Sequence, residues 1–210
     1  MLNRRAMIGG LAFGAAALST SVEASAQAGP PSAAGKPTAA DRLNALGPEA
    51  DRLAQRIGLW DVVETVWASA SARPVITRGL VAERVMYGSL LQELLRARED
   101  DRQPAVARTD MLSFNRLEGR WGYVSFDTRA PVGLMPAWSS DAGNAEMISL
   151  SFAPFAVPGP GADAGGQLLR MEQIIRFTDA THDVKDQYFM LADGTATRWL
   201  AHRYAYARRE

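Results

Sequence analysis

The segment 183–206 reads DVKDQYFMLADGTATRWLAHRYAY, and it decides the fold of the chain. Two runs rich in aromatic and aliphatic residues flank Asp193-Gly194, a dipeptide favoured in two-residue turns between antiparallel strands. The pattern therefore predicts a β-hairpin with strands over 183–192 and 195–206.

Further strand candidates precede this hairpin, each a short apolar or alternating run bounded by turn residues. They are 60–68, 80–87, 90–98, 106–115, 120–128, 147–155 and 168–178. Most are joined by short polar turns, so an antiparallel meander of about nine or ten strands is expected. Such a meander leaves exposed edges unless it closes. The predicted fold is therefore all-β, a closed antiparallel up-and-down barrel, and a β-sandwich is the alternative.

A short helix is predicted before the first strand. Apolar residues recur at helical spacing at Leu43, Leu46, Ala50, Leu53 and Ile57. Gly47-Pro48 interrupts the pattern. Because proline suits the first turn of a helix, a second short helix could begin at Pro48. The segments 129–145 and 156–166 are expected to be long loops, either functional lids or insertions.

The N-terminus has the pattern of an export signal. Arg4-Arg5 precedes a weakly apolar stretch, and a small-residue run ends at Ala26-Gln27-Ala28. The arginine pair indicates the twin-arginine route. We therefore expect a signal peptide over 1–28, a disordered spacer over 29–38 and the barrel domain with its helix over 39–210. The expected location is the periplasm, with the twin-arginine translocase as partner during export and no membrane span in the mature chain.

Composition excludes several classes of function. Removal of residues 1–28 takes Arg4, Arg5 and Glu23 from 23 basic and 23 acidic residues, leaving 21 and 22. This balance gives no charge-based reason to expect a nucleic-acid partner. The chain has no cysteine, which excludes disulfides, thiol chemistry and cysteine-ligated metals.

Three segments carry a resemblance to a known class of barrel. They are Ile57-Gly58-Leu59-Trp60-Asp61-Val62, the aromatic hairpin 114–127 and the aromatic and arginine-rich end 203–208. Together they resemble the lipocalin-like (calycin) β-barrels, and more specifically a bacterial family of uncharacterised exported proteins with a Gly-x-Trp opening. The resemblance implies that Gly58 and Trp60 form a structural plug at one end of the barrel, with Arg208 packed on the indole.

The final hairpin also predicts which side chains face inward. A two-residue turn at 193–194 pairs Tyr188 with Trp199 and Met190 with Thr197. That face is mostly apolar, so Tyr188, Met190 and Trp199 are predicted to line the interior. The preceding strand adds an apolar row that includes Met171, Ile175 and Phe177.

The opposite face of the hairpin is predicted to be the wetter one. It pairs Lys185 with His202, so His202 is expected to point outward. On the preceding strand, Arg170, Glu172 and Arg176 alternate with the apolar row and are also expected to point outward.

No catalytic residue, metal site or cofactor is assigned from the sequence. Motifs such as His-Glu-x-x-His and Gly-x-Ser-x-Gly are absent, and the only histidines are His182 and His202. Asp179, His182 and Asp183 could in principle ligate a metal, but solvated turn residues of this kind are common.

Three hypotheses for function follow. The first is an exported protein that binds or carries a small apolar ligand in its barrel cavity. The second is a haem-binding barrel that uses His202. The expected outward direction of the His202 side chain argues against this hypothesis. The third is a barrel-fold enzyme, a cyclase or hydrolase, which would need a carboxylate or an arginine that points inward.

Overall fold

A computed structural model of the chain describes residues 36–97, 106–130, 132–156 and 167–210. The predicted signal peptide and most of the predicted spacer lie outside the described residues. Within the described ranges, no helix is both long enough and apolar enough to cross a membrane.

Two short helices open the described chain, as predicted. They are α1 (Ala39–Asn44) and α2 (Gly47–Ala54), with a capping box between Thr38 and Asp41 at the start of α1. Pro48 stands in the first turn of α2, where its missing N–H costs no helical hydrogen bond. Leu53 is fully buried in the barrel core, so α2 packs with its apolar face against the barrel.

Eleven strands follow the helices. They are β1 (Gly58–Val66), β2 (Val75–Tyr87), β3 (Leu90–Ala97), β4 (Val106–Asn115), β5 (Arg120–Asp127), β6 (Leu134–Trp138), β7 (Met147–Phe152), β8 (Phe155–Ala156), β9 (Leu168–Phe177), β10 (His182–Leu191) and β11 (Arg198–Arg208).

These strands form a closed antiparallel barrel. Sequential strands pair from β1 to β7, β7 pairs with β9, β9 with β10, β10 with β11, and β11 returns to β1. The two-residue strand β8 lies beside β9 in line with β7, because Phe155 pairs with Leu169. The barrel therefore has ten strand positions, which confirms the all-β up-and-down prediction, and the β-sandwich alternative is wrong.

Strand β6 lies inside the segment that was expected to be a loop. This strand contains Pro136, and proline is disfavoured in strands because it cannot donate to a ladder. Its carbonyl accepts a hydrogen bond from Ala153 N at 3.0 Å. In a strand the N–H and the carbonyl of a residue point in the same direction, so the N–H that Pro136 lacks would have faced β7. On that side β6 pairs with β7 only at Ala137 and Trp138. The proline is tolerated because pairing on that side is already limited.

The register of the final hairpin differs from the prediction. The turn is longer than two residues, since β10 ends at Leu191 and β11 begins at Arg198. Phe189, not Tyr188, pairs with Trp199. A bulge at Ala201 then shifts the register again, so that Gln187 pairs with His202. The predicted register was wrong because neither the longer turn nor the bulge has a clear sequence signal.

Candidate functional site

The barrel interior contains two apolar clusters. One is built around Trp121 and Phe177, and the other around Trp60 and Tyr204. At the end beside α2, the guanidinium of Arg52 lies 4.8 Å from the centroid of the Trp121 ring. Helix α2 therefore contributes both apolar and cation–π contacts at that end of the barrel.

The interior also holds a set of charged side chains, which we call the buried ionic cluster. Its members are all less than a tenth exposed and come from β2, β3, β4, β10 and the segment after α2: Arg56, Arg84, Glu93, Arg108, Asp110, Asp183 and Lys185. Strand alternation turns them inward alongside apolar neighbours such as Leu91 and Leu112. The barrel is thus partly filled with ion pairs in place of an apolar core.

Glu93 occupies the centre of the buried ionic cluster. Its Oε2 accepts a hydrogen bond from Arg84 Nε at 2.8 Å. Its Oε1 accepts hydrogen bonds from Lys185 Nζ at 3.0 Å and from Tyr206 Oη at 2.9 Å. Arg108 Nη2 also lies 3.3 Å from this oxygen. A single carboxylate therefore contacts three cations.

Asp110 is the second carboxylate of the cluster. Its Oδ2 accepts from Lys185 Nζ at 2.6 Å, and its Oδ1 accepts from Ser125 Oγ at 2.6 Å. Arg108 Nε lies 3.1 Å from Oδ2. Both oxygens of Asp110 are therefore engaged within the protein.

Asp183 joins the cluster to the segment after α2. It accepts a hydrogen bond from Arg84 Nη1 at 2.5 Å and lies 3.1 Å from Arg56 Nη1. Because breaking a buried ion pair leaves an uncompensated charge, these contacts fix the end of the helical segment against β2 and β10.

Glu93 and Lys185 keep their charges at neutral pH. Burial by itself raises the pKa of Glu93, but the nearby charges of Lys185, Arg84 and Arg108 lower it well below its usual value. Burial by itself lowers the pKa of Lys185, but Asp110 and Glu93 raise it well above its usual value. The carboxylate is therefore ionised and the amine protonated.

A cavity of about 220 Å³, here called the inner cavity, lies inside the barrel next to the buried ionic cluster. One part of its wall is polar and the other apolar. The polar part consists of Arg108, Ser125, Asp127, Gln187, His202 and Tyr204, and the apolar part includes Val132, Met135, Phe155, Leu169, Met171 and Phe189. A molecule inside it would meet both kinds of surface.

A larger, more open cavity of about 500 Å³, the outer cavity, shares Leu169, Phe189 and His202 with the inner one. It is lined by the β1–β2 connection, which carries Trp67, and by the start of β11. Trp199 Nε1 donates a hydrogen bond to Trp67 O at 3.1 Å. The shared residues place the two cavities next to each other.

His202 lies inside the barrel and lines both cavities, so the expectation that it points outward was wrong. The bulge at Ala201 is the physical reason, because it places His202 opposite the inward-facing Gln187. The His202 ring is stacked parallel to Tyr204, with ring centroids 6.0 Å apart. Its Nδ1 lies 3.4 Å from Glu64 Oε1.

Glu64 is held as a carboxylate by its neighbours. Tyr204 Oη donates to Oε1 at 2.7 Å, and Arg129 Nη1 donates to Oε2 at 2.8 Å. Burial by itself raises the pKa of Glu64, but the hydrogen bonds from His202, Arg129 and Tyr204 lower it to about 2. An ionised Glu64 favours the His202 tautomer that carries its proton on Nδ1.

Tyr188 and Met190 do not lie inside the barrel, in contrast to the prediction. Together with Arg198 they line a groove of about 180 Å³ on the outer side of β10, and the Arg198 guanidinium is 3.7 Å from the centroid of the Tyr188 ring. The one-residue error in register explains this, because it moves alternate side chains to the other face.

The other predicted cavity residues do point inward. Met171 lines the inner cavity and Trp199 the outer one. Ile175 and Phe177 border a smaller pocket beside the buried ionic cluster. Whether any of these four side chains contacts a ligand stays a prediction.

The three residues of the predicted plug lie together. Trp60 is fully buried, and its ring centroid is 5.4 Å from the Arg208 guanidinium and 4.6 Å from that of Arg84. Gly58 has a φ of +127°, and a Cβ there would lie 3.7 Å from the Arg208 side chain. The backbone conformation favours glycine at this position, whereas 3.7 Å is an ordinary van der Waals distance.

Asp179, His182 and Asp183 are not gathered into a metal site. His182 pairs with Asp179 in an exposed turn at 3.0 Å, whereas Asp183 is buried among arginines. In the part of the chain that the structure describes, no group of three or more potential ligands could hold a metal ion.

Sequence reasoning missed the inward-facing charges. These charges share the inward face of a strand with apolar residues, as Glu93 does with Leu91 and Leu95 on β3. This alternation was a usable signal, but a charged residue on an apolar face is normally assigned to the solvent side. Arg170, Glu172 and Arg176 do lie on the exterior of β9, as expected.

Comparisons with known proteins add a likeness in fold only. No protein-family model matches the sequence, and no curated protein matches it. Among solved structures, the chain is similar to the crystal structure of Rv2717c from M. tuberculosis, with 14% identity and a TM-score of 0.46. The match covers 78% of this chain and 99% of that one.

Proposed function

We propose that the protein binds a small amphipathic molecule inside the barrel. The observation that carries this proposal is the inner cavity, whose lining combines apolar residues with polar ones that include Arg108 and His202. Ligand sites in proteins commonly combine a mainly apolar lining with a few placed polar groups. The ligand would therefore have an apolar body and one polar end, which refines the expectation of a wholly apolar molecule.

The size of the two cavities supports this proposal. The inner cavity has about 220 Å³ and the outer cavity about 500 Å³, whereas ligand pockets usually have about 300–1,000 Å³. A ligand that reaches from the outer cavity past Leu169 and Phe189 into the inner one would thus fit the usual range.

The proposed location of the protein rests on the sequence. The arginine pair Arg4-Arg5 favours export by the twin-arginine translocase to the periplasm. The Gly58-x-Trp60 opening favours membership of the exported lipocalin-like barrels. In this setting the protein would carry or sequester its ligand outside the cytoplasm.

Haem binding is a second candidate, favoured by the placement of His202. Its Nδ1 lies near Glu64, the arrangement that orients many metal-bound imidazoles and leaves Nε2 for the metal. A haem would occupy the outer cavity against Phe189, because Arg108 and Asp127 make part of the inner wall charged. It ranks second because haem would use the outer cavity alone, whereas an amphipathic ligand would also use the inner cavity.

The proposal can be tested with N-phenyl-1-naphthylamine, a neutral apolar probe. We expect saturable binding of one molecule per barrel, with energy transfer from Trp67 and Trp199, both beside the outer cavity. Absence of saturable binding would overturn the proposal. Native mass spectrometry of gently purified protein would identify a ligand that co-purifies.

A haem titration separates the two candidates. A stoichiometric Soret band that disappears in His202→Ala, but persists in His182→Ala, would favour haem. Probe binding without such a band would favour the amphipathic ligand.

A further inference from the structure

Resting on the proposed function, we infer that the polar end of the ligand is an uncharged hydroxyl group, which donates a hydrogen bond to His202 Nε2. The polar part of the inner cavity offers acceptors to a bound molecule, whereas its donors are used within the protein. The charges around the cavity also balance, so a charged end of a ligand would find no counter-charge there.

The hydrogen-bond donors of the polar lining already have acceptors in the protein. Ser125 Oγ donates to Asp110 at 2.6 Å, and Tyr204 Oη donates to Glu64 at 2.7 Å. Gln187 Nε2 also donates within the barrel, to a glutamine of β9 at 2.8 Å. A ligand that needs a donor, such as a carboxylate, would have to compete with these contacts.

Arg108 lines the inner cavity as well, but its nitrogens are not open to a ligand. The side chain is only 2% exposed, and its Nε and Nη1 are enclosed by protein atoms. Its Nη2 lies 3.3 Å from Glu93 Oε1. A molecule in the cavity would therefore meet the flank of this side chain and not its donors.

The charges around the inner cavity cancel. The buried ionic cluster has four cations and three carboxylates. Beside it, Glu64 and Asp127 both pair with Arg129, at 2.8 Å each. With these three residues the interior has five cations and five carboxylates. Since a charge that leaves water without a counter-charge is costly, a neutral ligand end is favoured.

His202 presents an acceptor to the cavity. Its side chain is 24% exposed and lines both cavities. Its Nδ1 lies 3.4 Å from Oε1 of the ionised Glu64, so the proton of the neutral ring sits on Nδ1 and Nε2 carries a lone pair. Among the residues that the structure describes, Nε2 has no hydrogen-bond partner, and it is not enclosed as the Arg108 nitrogens are.

A second acceptor lies next to His202. Gln187 pairs with His202 between β10 and β11 and lines the same cavity. Because its Nε2 donates to Gln173, its Oε1 is left over. Within the described ranges this oxygen makes no hydrogen bond, and it is not enclosed. Two neighbouring acceptors disfavour a carboxylate, which cannot donate, and favour a hydroxyl, which can.

The test compares four ten-carbon ligands. They are decan-1-ol, its isomer nonyl methyl ether, decanoate and decylammonium. The ether has the oxygen but cannot donate, and the last two are charged. Displacement of N-phenyl-1-naphthylamine at neutral pH measures their affinities. Decanol should bind about five-fold more tightly than the ether, which corresponds to about 1 kcal/mol. It should bind about ten-fold more tightly than either ion, because each ion loses hydration without a counter-charge.

Each outcome of this comparison has a distinct meaning. Equal or tighter binding of the ether or of either ion would overturn the hydroxyl assignment and leave the proposed cavity intact. Failure of all four to displace a bound naphthylamine would overturn the assignment as well. If the naphthylamine itself does not bind saturably, the proposed function is wrong.

The hydrogen bond can also be observed directly. His182 and His202 are the only histidines of the chain, so ¹⁵N NMR of protein labelled at histidine gives few signals, and the variant His182→Gln assigns them. At about pH 8, decanol should shift the Nε2 signal of His202, because the nitrogen accepts a hydrogen bond. Nonyl methyl ether should leave it in place. A His202 signal that does not move at saturating decanol would refute its role as the acceptor.

A matched pair of variants locates the hydroxyl. His202→Phe keeps an aromatic ring but removes the acceptor, so decanol and the ether should then bind about equally. His182→Phe, in an exposed turn, should retain the preference for decanol. A preference retained in His202→Phe would contradict the assignment. If circular dichroism shows that His202→Phe does not fold, the NMR signal and the four-ligand comparison decide the question on the wild-type protein.

Discussion

Trp60 is the residue whose burial most directly links the sequence pattern to the stability of the barrel. Its ring has no exposed surface, lies against Arg84 and Arg208, and donates from Nε1 to Arg56 O at 3.1 Å. The Gly-x-Trp opening therefore anchors β1, β2, β11 and the segment after α2 at one point.

The first prediction follows from this burial. Trp60→Ala should lower the free energy of unfolding by about 3–5 kcal/mol, since it empties a large aromatic site. Urea denaturation followed by circular dichroism measures the loss. Trp138→Ala is the matched control, because Trp138 is 43% exposed and should change stability by no more than about 0.5 kcal/mol. Equal losses in the two variants would contradict the role of Trp60 as a buried plug.

Glu64 predicts how stability depends on pH. Its pKa is lowered from 4.5 to about 2 in the folded protein. A lowered pKa contributes stability that is complete above the unfolded value and is lost as the pH falls through the folded value. The contribution at neutral pH is roughly 3 kcal/mol.

Glu64→Gln should therefore remove roughly this amount at pH 7 and reduce the loss of stability between about pH 5 and pH 2. Urea unfolding across that range measures both effects. Glu172→Gln on the exterior of β9, where the glutamate is about half exposed, should alter neither by more than about 0.5 kcal/mol. A Glu64→Gln curve parallel to that of the wild type would refute the pKa shift.

At the scale of elements, the sequence predicted most of the strands and the closure of the barrel. Periodic runs such as 106–115 were placed correctly because their alternation and flanking turns agree. The register of the final hairpin was not predictable, because a longer turn and the bulge at Ala201 depend on tertiary contacts. Strand β6 was missed because Pro136 is acceptable only where the neighbouring strand does not pair fully.

The candidate site was predicted only in part, for the same reason. The row on β9 that includes Met171 was found from its alternation, since that strand has no bulge. Tyr188 and Met190 were assigned to the wrong side, and His202 as well, because all three depend on the register of one hairpin. The inward charges of β3 and β4 make sense only once their partners on β2 and β10 are known.

The register of the final hairpin predicts that two adjacent aromatic residues differ in their effect on ligand affinity. Phe189 lines both cavities, whereas Tyr188 lies in the groove on the outer side of β10. Phe189→Ala should weaken binding of the naphthylamine probe by about 1–3 kcal/mol, the scale of one large apolar contact. Tyr188→Ala should leave the affinity unchanged. A fluorescence titration of the two variants measures the difference, and the reverse order of effects would restore the register that the sequence suggested.

At the scale of the whole molecule, the barrel interior combines a filled part with two cavities. Leu53 of α2, Trp60 and the buried ionic cluster occupy one part of the interior, and the two adjacent cavities occupy another. A chain without cysteine must obtain its stability from this interior alone. The filled part would hold the barrel closed, and the cavities would remain available to a ligand.

The proposed export also concerns the whole molecule. Changing both Arg4 and Arg5 to Lys should leave the precursor in the cytoplasm, because twin-arginine recognition depends on the guanidinium pair and not on charge alone. Cell fractionation with detection of the processed form measures this. Normal processing of the double-lysine variant would exclude the twin-arginine route.

The central claim is that the ligand site lies inside the barrel. A crystal structure of the protein with 10-bromodecan-1-ol tests it most directly, because the bromine gives an anomalous signal that marks one end of the ligand. The account predicts a single bromine peak inside the barrel, in the inner or the outer cavity. A bromine peak in the outer groove beside Tyr188 and Met190, or a barrel interior without ligand density at saturating concentration, would contradict the account.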